Sequence, residues 1–282
     1  MDQRVRAAIL NNLYPMVAAL GQTNDRLYGL AYTIEVEHLA YQSGLYALDR
    51  WSFANVLDQH VRFVFPAGRT NSLSDIFLAQ YRAATETLES DTLSVDAEQL
   101  QTLFQFYEDA VNAGLIDPIV LEYILPDDYR AGLAGGTIPA GVVTSTMYLQ
   151  MDSQALGYAP LPTESGQSTT VVDGWMWVLT TADSEQQALA LRFINWMLDV
   201  ERQGRYTQAI SMLPSQRGTL RQWEDPAYAT FVDMLLNSAT LPLAETTGNT
   251  TARVIQSALA SVISGQRDAA EAAQDVITQL PG

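Results

Sequence analysis

The stretch Thr169–Thr180, TTVVDGWMWVLT, runs into the segment Asp183–Val200 and limits what this chain can fold into more than any other feature. Val171, Val172, Trp175, Trp177, Val178 and Leu179 put apolar and aromatic groups on both faces of the first part, as in a buried strand. Asp173-Gly174 interrupts it, and a glycine inside a strand marks a bulge or a close approach to the backbone. In the second part Ala188, Leu191, Ile194, Met197 and Leu198 recur at helical steps. Asp183 or Ser184 serves as N-cap, with Gln187 three residues after Ser184 as in a capping box. Trp175 and Trp177 form either a flat surface for a ligand or part of the core, since aromatics supply large buried area in both settings.

Composition removes several function classes. The chain has 282 residues, enough for one large domain or two lobes, and 48% are apolar, as in globular proteins. A balance of 15 basic and 32 acidic residues gives −17, the wrong sign for binding nucleic-acid phosphates. Cysteine is absent, which excludes disulfides, thiolate catalysis and cysteine-ligated metals. His38 and His60 are not in a zinc-protease spacing and read as strand or helix-surface residues. No apolar run is long enough to cross a membrane. Met1-Asp2-Gln3-Arg4 is not expected to begin a signal peptide, because no apolar segment follows a basic start.

Along the chain, Arg4–Leu20 reads as a helix bent or divided at Pro15. Leu27–Thr33 and Glu35–Gln42 read as a pair of extended segments. Trp51–Gln59 is a short helix capped by Ser52, and Val61–Phe65 a strand that ends at Pro66-Ala67-Gly68. The loop Gly68–Ser72, with Thr70 and Asn71, either meets a ligand or simply caps the helix Leu73–Ala84. A helix within Leu93–Gly114 is capped near Ser94 or Asp96 and buries Leu100, Leu103, Phe104, Tyr107 and Val111. The strand Ile138–Val143 ends in Thr144-Ser145-Thr146-Met147-Tyr148, where hydroxyls and the amides of a following helix could meet a ligand. Arg217 either forks onto ligand oxygens or pairs with a carboxylate.

Five stretches, in order, resemble family 1 extracellular solute-binding proteins, the carbohydrate-binding subunits of ABC importers. Leu27–Gln42 is similar to the family's crossing between lobes, with Ala31 in place of proline and Gln42 in place of asparagine. Ala131–Val143 and Tyr158–Pro162 resemble its small helix before a strand and its Tyr-x-Pro-x-Pro strand. The opening stretch resembles its Gly-Trp strand followed by a capped helix. Ser211–Arg217 resembles its Gly-x-Leu-Pro-x-Arg loop, with Ser211 where glycine is common. The resemblance starts partway into the family's first lobe, so the N-terminal part of that lobe is expected to be lacking. It implies an α/β fold, type II periplasmic-binding-protein-like, with a complete second lobe and part of the first. The implied boundaries are 1–35 for the first-lobe remnant and crossing strand, 36–210 for the second lobe, and 211–282 for the hinge return and C-terminal helices.

The same resemblance implies reversible binding of a carbohydrate in an interlobe cleft, with ABC permease subunits as partners and an extracellular or periplasmic, membrane-associated location. The expected ligand-binding residues are Tyr32, Thr33, Thr70, Asn71, Thr144, Ser145, Tyr148, Asp173, Gly174, Trp175 and Arg217. Trp175 is preferred to Trp177 because it adjoins Gly174, and a bulge at Gly174 would separate their roles. Nucleophile elbow, phosphate loop and dinucleotide fingerprint are all absent, so no cofactor, metal or catalytic residue is expected. The alternatives are a non-transport interaction module, a lone lobe that self-associates through the face left by the lacking segment, and a glycan-active enzyme. An enzyme of that kind needs two carboxylates spaced across a cleft, which nothing in the sequence specifies.

Overall fold

The computed structural model describes residues 5, 7–24, 26–69, 72–85, 93–151, 155–243 and 250–280. Among them the strands are β1 Gln22–Thr23, β2 Arg26–Leu27, β3 Gly29–Gln42, β4 Ala140–Thr144, β5 Leu156–Ala159, β6 Thr170–Val178, β7 Leu213–Pro214 and β8 Ala239–Thr240. The helices are α1 Ala7–Leu10, α2 Pro15–Leu20, α3 Phe53–Asp58, α4 Asp75–Thr85, α5 Ala97–Asn112, α6 Arg130–Ala134 and α7 Ser145–Gln150. They continue with α8 Ser184–Met197, α9 Val200–Ala209, α10 Arg217–Leu220, α11 Pro226–Asn237, α12 Thr250–Ile263 and α13 Ala269–Gln279. This mixture of helix and sheet is the expected α/β class.

The chain forms two compact units, Met1–Val36 with Val172–Leu241, and Glu37–Val171 with Pro242–Gly282. These differ from the expected lobes. Residues 172–210 go with the N-terminal stretch because β6, from Val172 onward, pairs antiparallel with the Gly29–Val36 part of β3. The C-terminal helices α12 and α13 belong with residues 37–171 because they pack on α5.

In the unit built from 37–171 and 242–282, the second part of β3 is a central strand, with β4 on one side and β5 on the other. The α5 stripe is buried at Leu100, Leu103, Phe104 and Tyr107, while Val111, expected on it, is half-buried, and Asp96 caps the helix by accepting from Gln99 N. Phe77, Phe104 and Tyr107 stack in this core. The Tyr107 hydroxyl is satisfied by Gln80 Oε1 at 2.7 Å, and Gln80 in turn donates to the Pro162 carbonyl. Val61–Phe65, expected as a strand, makes only one isolated bridge, Val64 to Gly141. Its β-forming residues are buried by packing instead, because Phe63 N bonds to the Leu115 carbonyl rather than to a strand.

In the unit built from 1–36 and 172–241, Gly29–Val36 lies between β6 and the two-residue β7, with β8 beyond β6. The two extended segments expected at Leu27–Thr33 and Glu35–Gln42 are one continuous strand, β3. The register with β6 shifts between Ala31 and Thr33, so the bulge is at Tyr32 and not at Gly174. Glycine is needed at 174 for a different reason: a Cβ there would lie 2.3 Å from the Thr33 carbonyl oxygen. The helix expected over Arg4–Leu20 is two short helices, with Arg4 outside the described residues. Leu13 leaves the helix to bridge Gln216, and Pro15, which lacks an amide hydrogen, opens α2.

Strand and helix form where the opening stretch places them, but β6 is buried only over Thr170, Val171 and Val172; Trp175, Met176 and Val178 are exposed rather than inside a buried strand. Asp183 caps α8 by accepting from Glu185 N and Gln186 N, and Leu191, Ile194 and Leu198 are buried. Ala188 and Met197, expected on that stripe, are exposed and half-buried. Ser211, at the glycine position of the resembled loop, has φ +55, the left-handed region that glycine adopts without steric cost.

Candidate functional site

The bulge at Tyr32 shapes the site. It withdraws the Tyr32 carbonyl from the ladder, and Gln203 of α9 captures it with its side-chain nitrogen at 2.8 Å. The same nitrogen donates to Ser215 Oγ at 2.9 Å, while Gln203 Oε1 accepts from Gln216 Nε2 at 2.9 Å and Thr219 Oγ1 at 3.1 Å. All four polar side chains are buried, so their mutual satisfaction is what makes the arrangement tolerable. The network fixes Tyr32 on β3 relative to the end of α9.

Beside it lies a cavity of about 360 Å³ lined by Tyr32, Thr33, Trp175, Met176, Trp177, Tyr206, Ile210 and Met212. All eight residues belong to one compact unit. The volume falls at the lower end of small-molecule pockets, roughly 300–1,000 Å³. The Tyr32 ring sits between Trp177, 5.3 Å between centroids, and Tyr206 at 5.2 Å. Tyr32 is almost fully buried, and its hydroxyl makes no well-formed hydrogen bond, its one polar neighbour being the Tyr206 side chain; the Trp177 indole Nε1 is likewise buried without a partner. Burial first, and Tyr206 second, raise the Tyr32 pKa above its ordinary value, so the hydroxyl stays protonated and available as a donor at neutral pH. No lining residue is charged. Flat aromatic faces with two uncommitted donors suit a neutral ligand that has an apolar face and oxygen acceptors.

Of the residues expected to bind ligand, Tyr32, Thr33 and Trp175 meet in this cavity. Trp175 is 70% exposed, while Trp177 is half-buried against Tyr32 and Phe193, so the two tryptophans do differ in role. Asp173 and Gly174 precede Trp175 on β6, and the Asp173 carboxylate accepts from Gly174 N at 2.7 Å. Arg217 lies elsewhere in the same unit, its guanidinium 4.5 Å from the centre of the Tyr14 ring, where it helps clamp the N-terminal segment. Thr144 caps α7 by accepting from Met147 N, Ser145 is fully buried, and the buried Tyr148 hydroxyl donates to the Leu156 carbonyl. These three belong to the other unit. Thr70 and Asn71 lie outside the described residues; their neighbour Arg69 pairs with Asp75 at 2.6 Å. Met176, Trp177, Tyr206, Ile210 and Met212 were not expected at the site. The one sequence signal for the last two was their position flanking Ser211, in the loop of the family resemblance.

The architecture defines an α/β protein of the solute-binding class. The sequence model of the family described as "Bacterial extracellular solute-binding protein" matches residues 5–230, and the chain belongs to that family. Solved structures similar in fold include maltose-bound MalE3 of T. maritima, at 15% identity and TM-score 0.75, over 96% of this chain and 76% of that one. A cyclic alpha-maltosyl-1,6-maltose binding protein from Arthrobacter globiformis matches at 14% identity and TM-score 0.77, over 98% of this chain and 76% of that one. A family 1 extracellular solute-binding protein from Bifidobacterium longum subsp. infantis matches at 15% and 0.71, over 96% and 77%. At such identities the likeness shows the fold. Among curated proteins no relative matches the chain. No helix among the described residues is long and apolar enough to cross a membrane.

Proposed function

We propose that this chain binds a carbohydrate reversibly, outside the cytoplasmic membrane, and delivers it to the permease of an ABC importer. It is a carrier and not an enzyme. Membership of the solute-binding family supports the class, and the sugar ligands in the names of the similar structures support the ligand type. The observation that carries the carbohydrate reading is the cavity of one unit, where buried donors on Tyr32 and Trp177 make no well-formed hydrogen bond amid aromatic faces. A sugar ring offers a C–H face to stack on such rings and hydroxyl oxygens to accept from such donors. Tyr32, Thr33 and Trp175, with Trp177 and Tyr206, form the proposed ligand shell. Asp173 and Gly174 hold the strand that carries it. Thr144, Ser145 and Tyr148 are less suited to the role, because their side chains are buried or already bonded.

A thermal-shift screen over neutral mono- and oligosaccharides tests this. A ligand that binds only the native state raises the melting temperature, and more at higher concentration. A sugar that does so while quenching tryptophan fluorescence supports the reading. A panel in which no sugar shifts the transition overturns it. A second reading, an interaction module without transport, is favoured by a specific observation: Leu189, Phe193 and Trp196 of α8 are large, apolar and exposed.

A further inference from the structure

Gln203 is fully buried and is not one of the residues that line the cavity. Its amide nevertheless has every hydrogen-bonding position in use. Nε2 donates to the Tyr32 carbonyl at 2.8 Å and to Ser215 Oγ at 2.9 Å, and Oε1 accepts from Gln216 Nε2 and Thr219 Oγ1. A carbonyl oxygen can only accept, so the amide nitrogen has to face Tyr32 and the side chain has one orientation. Gln203 also lies one turn before Tyr206 on α9, and the Tyr206 ring, which lines the cavity, is 5.2 Å from that of Tyr32. One side chain therefore ties the strand that carries Tyr32 to the helix that carries Tyr206. Every member of this network is buried and belongs to the same unit.

What the tie holds is the bulge. In a regular strand Tyr32 and Thr33 point to opposite faces, yet both line the cavity. The register with β6 steps from Ala31 opposite Met176 to Thr33 opposite Trp175, which leaves Tyr32 outside the ladder and lets both side chains reach the same space. A buried carbonyl outside the ladder is costly unless another group donates to it, and Gln203 is that donor. Without it the strand gains by returning to regular alternation, which would turn one of the two side chains away. We propose that Gln203 is a positioning residue for ligand binding that acts through Tyr32: it holds the bulge, and so sets where the Tyr32 ring and hydroxyl meet the ligand. This rests on the carbohydrate reading of the cavity and adds to it, because affinity then depends on a side chain that does not touch the sugar.

Titration calorimetry of the full chain, with a neutral sugar that raises its melting temperature and at a temperature where each variant is folded, tests this. Gln203→Leu should weaken binding about fivefold or more, the scale of losing one well-placed hydrogen bond. Leu191→Ala, a core substitution of comparable cost in the same unit, is the control and should leave the affinity within about twofold of wild type. Coupling to Tyr32 is the readout that a purely structural role would not move. Tyr32→Phe removes only the hydroxyl, and in that background the fold-loss caused by Gln203→Leu should shrink at least about twofold. Gln203→Glu keeps the shape and serves if the leucine variant does not fold. Its protonated carboxyl can donate to the Tyr32 carbonyl and its ionised form cannot, so its affinity should fall as pH rises between about 5 and 8 while that of the wild type stays level. Unchanged affinity in Gln203→Leu, losses that simply add to those of Tyr32→Phe, or a pH-independent affinity in Gln203→Glu overturns the proposal and leaves the carbohydrate reading standing. A wild type that binds no sugar overturns that reading, and the proposal falls with it.

Discussion

Gln203 Nε2 lies 2.8 Å from the main-chain carbonyl oxygen of Tyr32, across 171 residues of chain. That single contact joins the strand bulge to the helix that closes the cavity. Gln203→Leu would remove it and leave the Tyr32 carbonyl, Ser215 Oγ, Gln216 Nε2 and Thr219 Oγ1 each short of one partner. The expected loss is about 2–4 kcal/mol, since each buried polar group stripped of a partner costs of order 1–3 kcal/mol and some relax. Urea denaturation would show it as a lower midpoint with an unchanged slope.

The buried stripe of α8 gives a second expectation. Leu191→Ala should destabilise by about 2–5 kcal/mol through lost burial and the cavity left behind. Leu189→Ala, two residues earlier but on the exposed side, should change the stability of the single chain by less than about 0.5 kcal/mol. Comparable losses at both positions would contradict this difference in burial.

His38 predicts a pH dependence. It is fully buried on β3, and desolvation lowers its pKa to about 4 from 6.5, against a smaller opposing effect of the Leu39 carbonyl. Below pH 6.5 the unfolded chain takes up a proton that the folded chain refuses, so the unfolded state binds more protons there. The stabilisation is complete above pH 6.5 and is lost as pH falls towards 4. The full loss is of order 3 kcal/mol at 1.36 kcal/mol per pKa unit. His38→Gln should flatten the stability profile between pH 4 and 6.5 relative to wild type. Parallel profiles for the two proteins would count against it.

Trp175 separates ligand binding from folding. Because it is 70% exposed, Trp175→Ala should leave the unfolding midpoint nearly unchanged. If the ring stacks on a sugar, the substitution should weaken binding by about 1–3 kcal/mol, the scale of losing one aromatic contact. Titration calorimetry with whichever sugar shifts the melting temperature measures this directly.

The sequence made some of these features readable and hid others, for physical reasons. Strand β6 and helix α8 were legible because a short apolar, aromatic run, helical spacing and an Asp183 cap are local signals. The shortened strand at Val61–Phe65 shows the limit of β-propensity, which records a fit to a half-buried surface and not how far pairing runs: Val64 alone pairs with β4, through Ala140 and Val142. The bulge at Tyr32 was invisible because it depends on Gln203 and Pro214, both remote in sequence. Trp175 was chosen for its neighbour Gly174, but Gly174 is there to pass the Thr33 carbonyl. Tyr206 and Met212 reach the cavity from the end of α9, and no short-range pattern distinguishes them from ordinary helix and loop residues.

The two units are interleaved along the chain, and this sets the order in which a ribosome can complete them. Residues 1–36 emerge before residues 37–171, but their strand gains β6 only after residue 178 has been made. Residues 37–171 are synthesised earlier than that pairing stretch, yet α5 lacks α12 and α13 until residues 250–280 appear. For much of translation, then, the nascent chain carries the α5 stripe of Leu100, Leu103 and Phe104 without its C-terminal cover. The emergence of α13 closes the interval in which that stripe most invites wrong contacts.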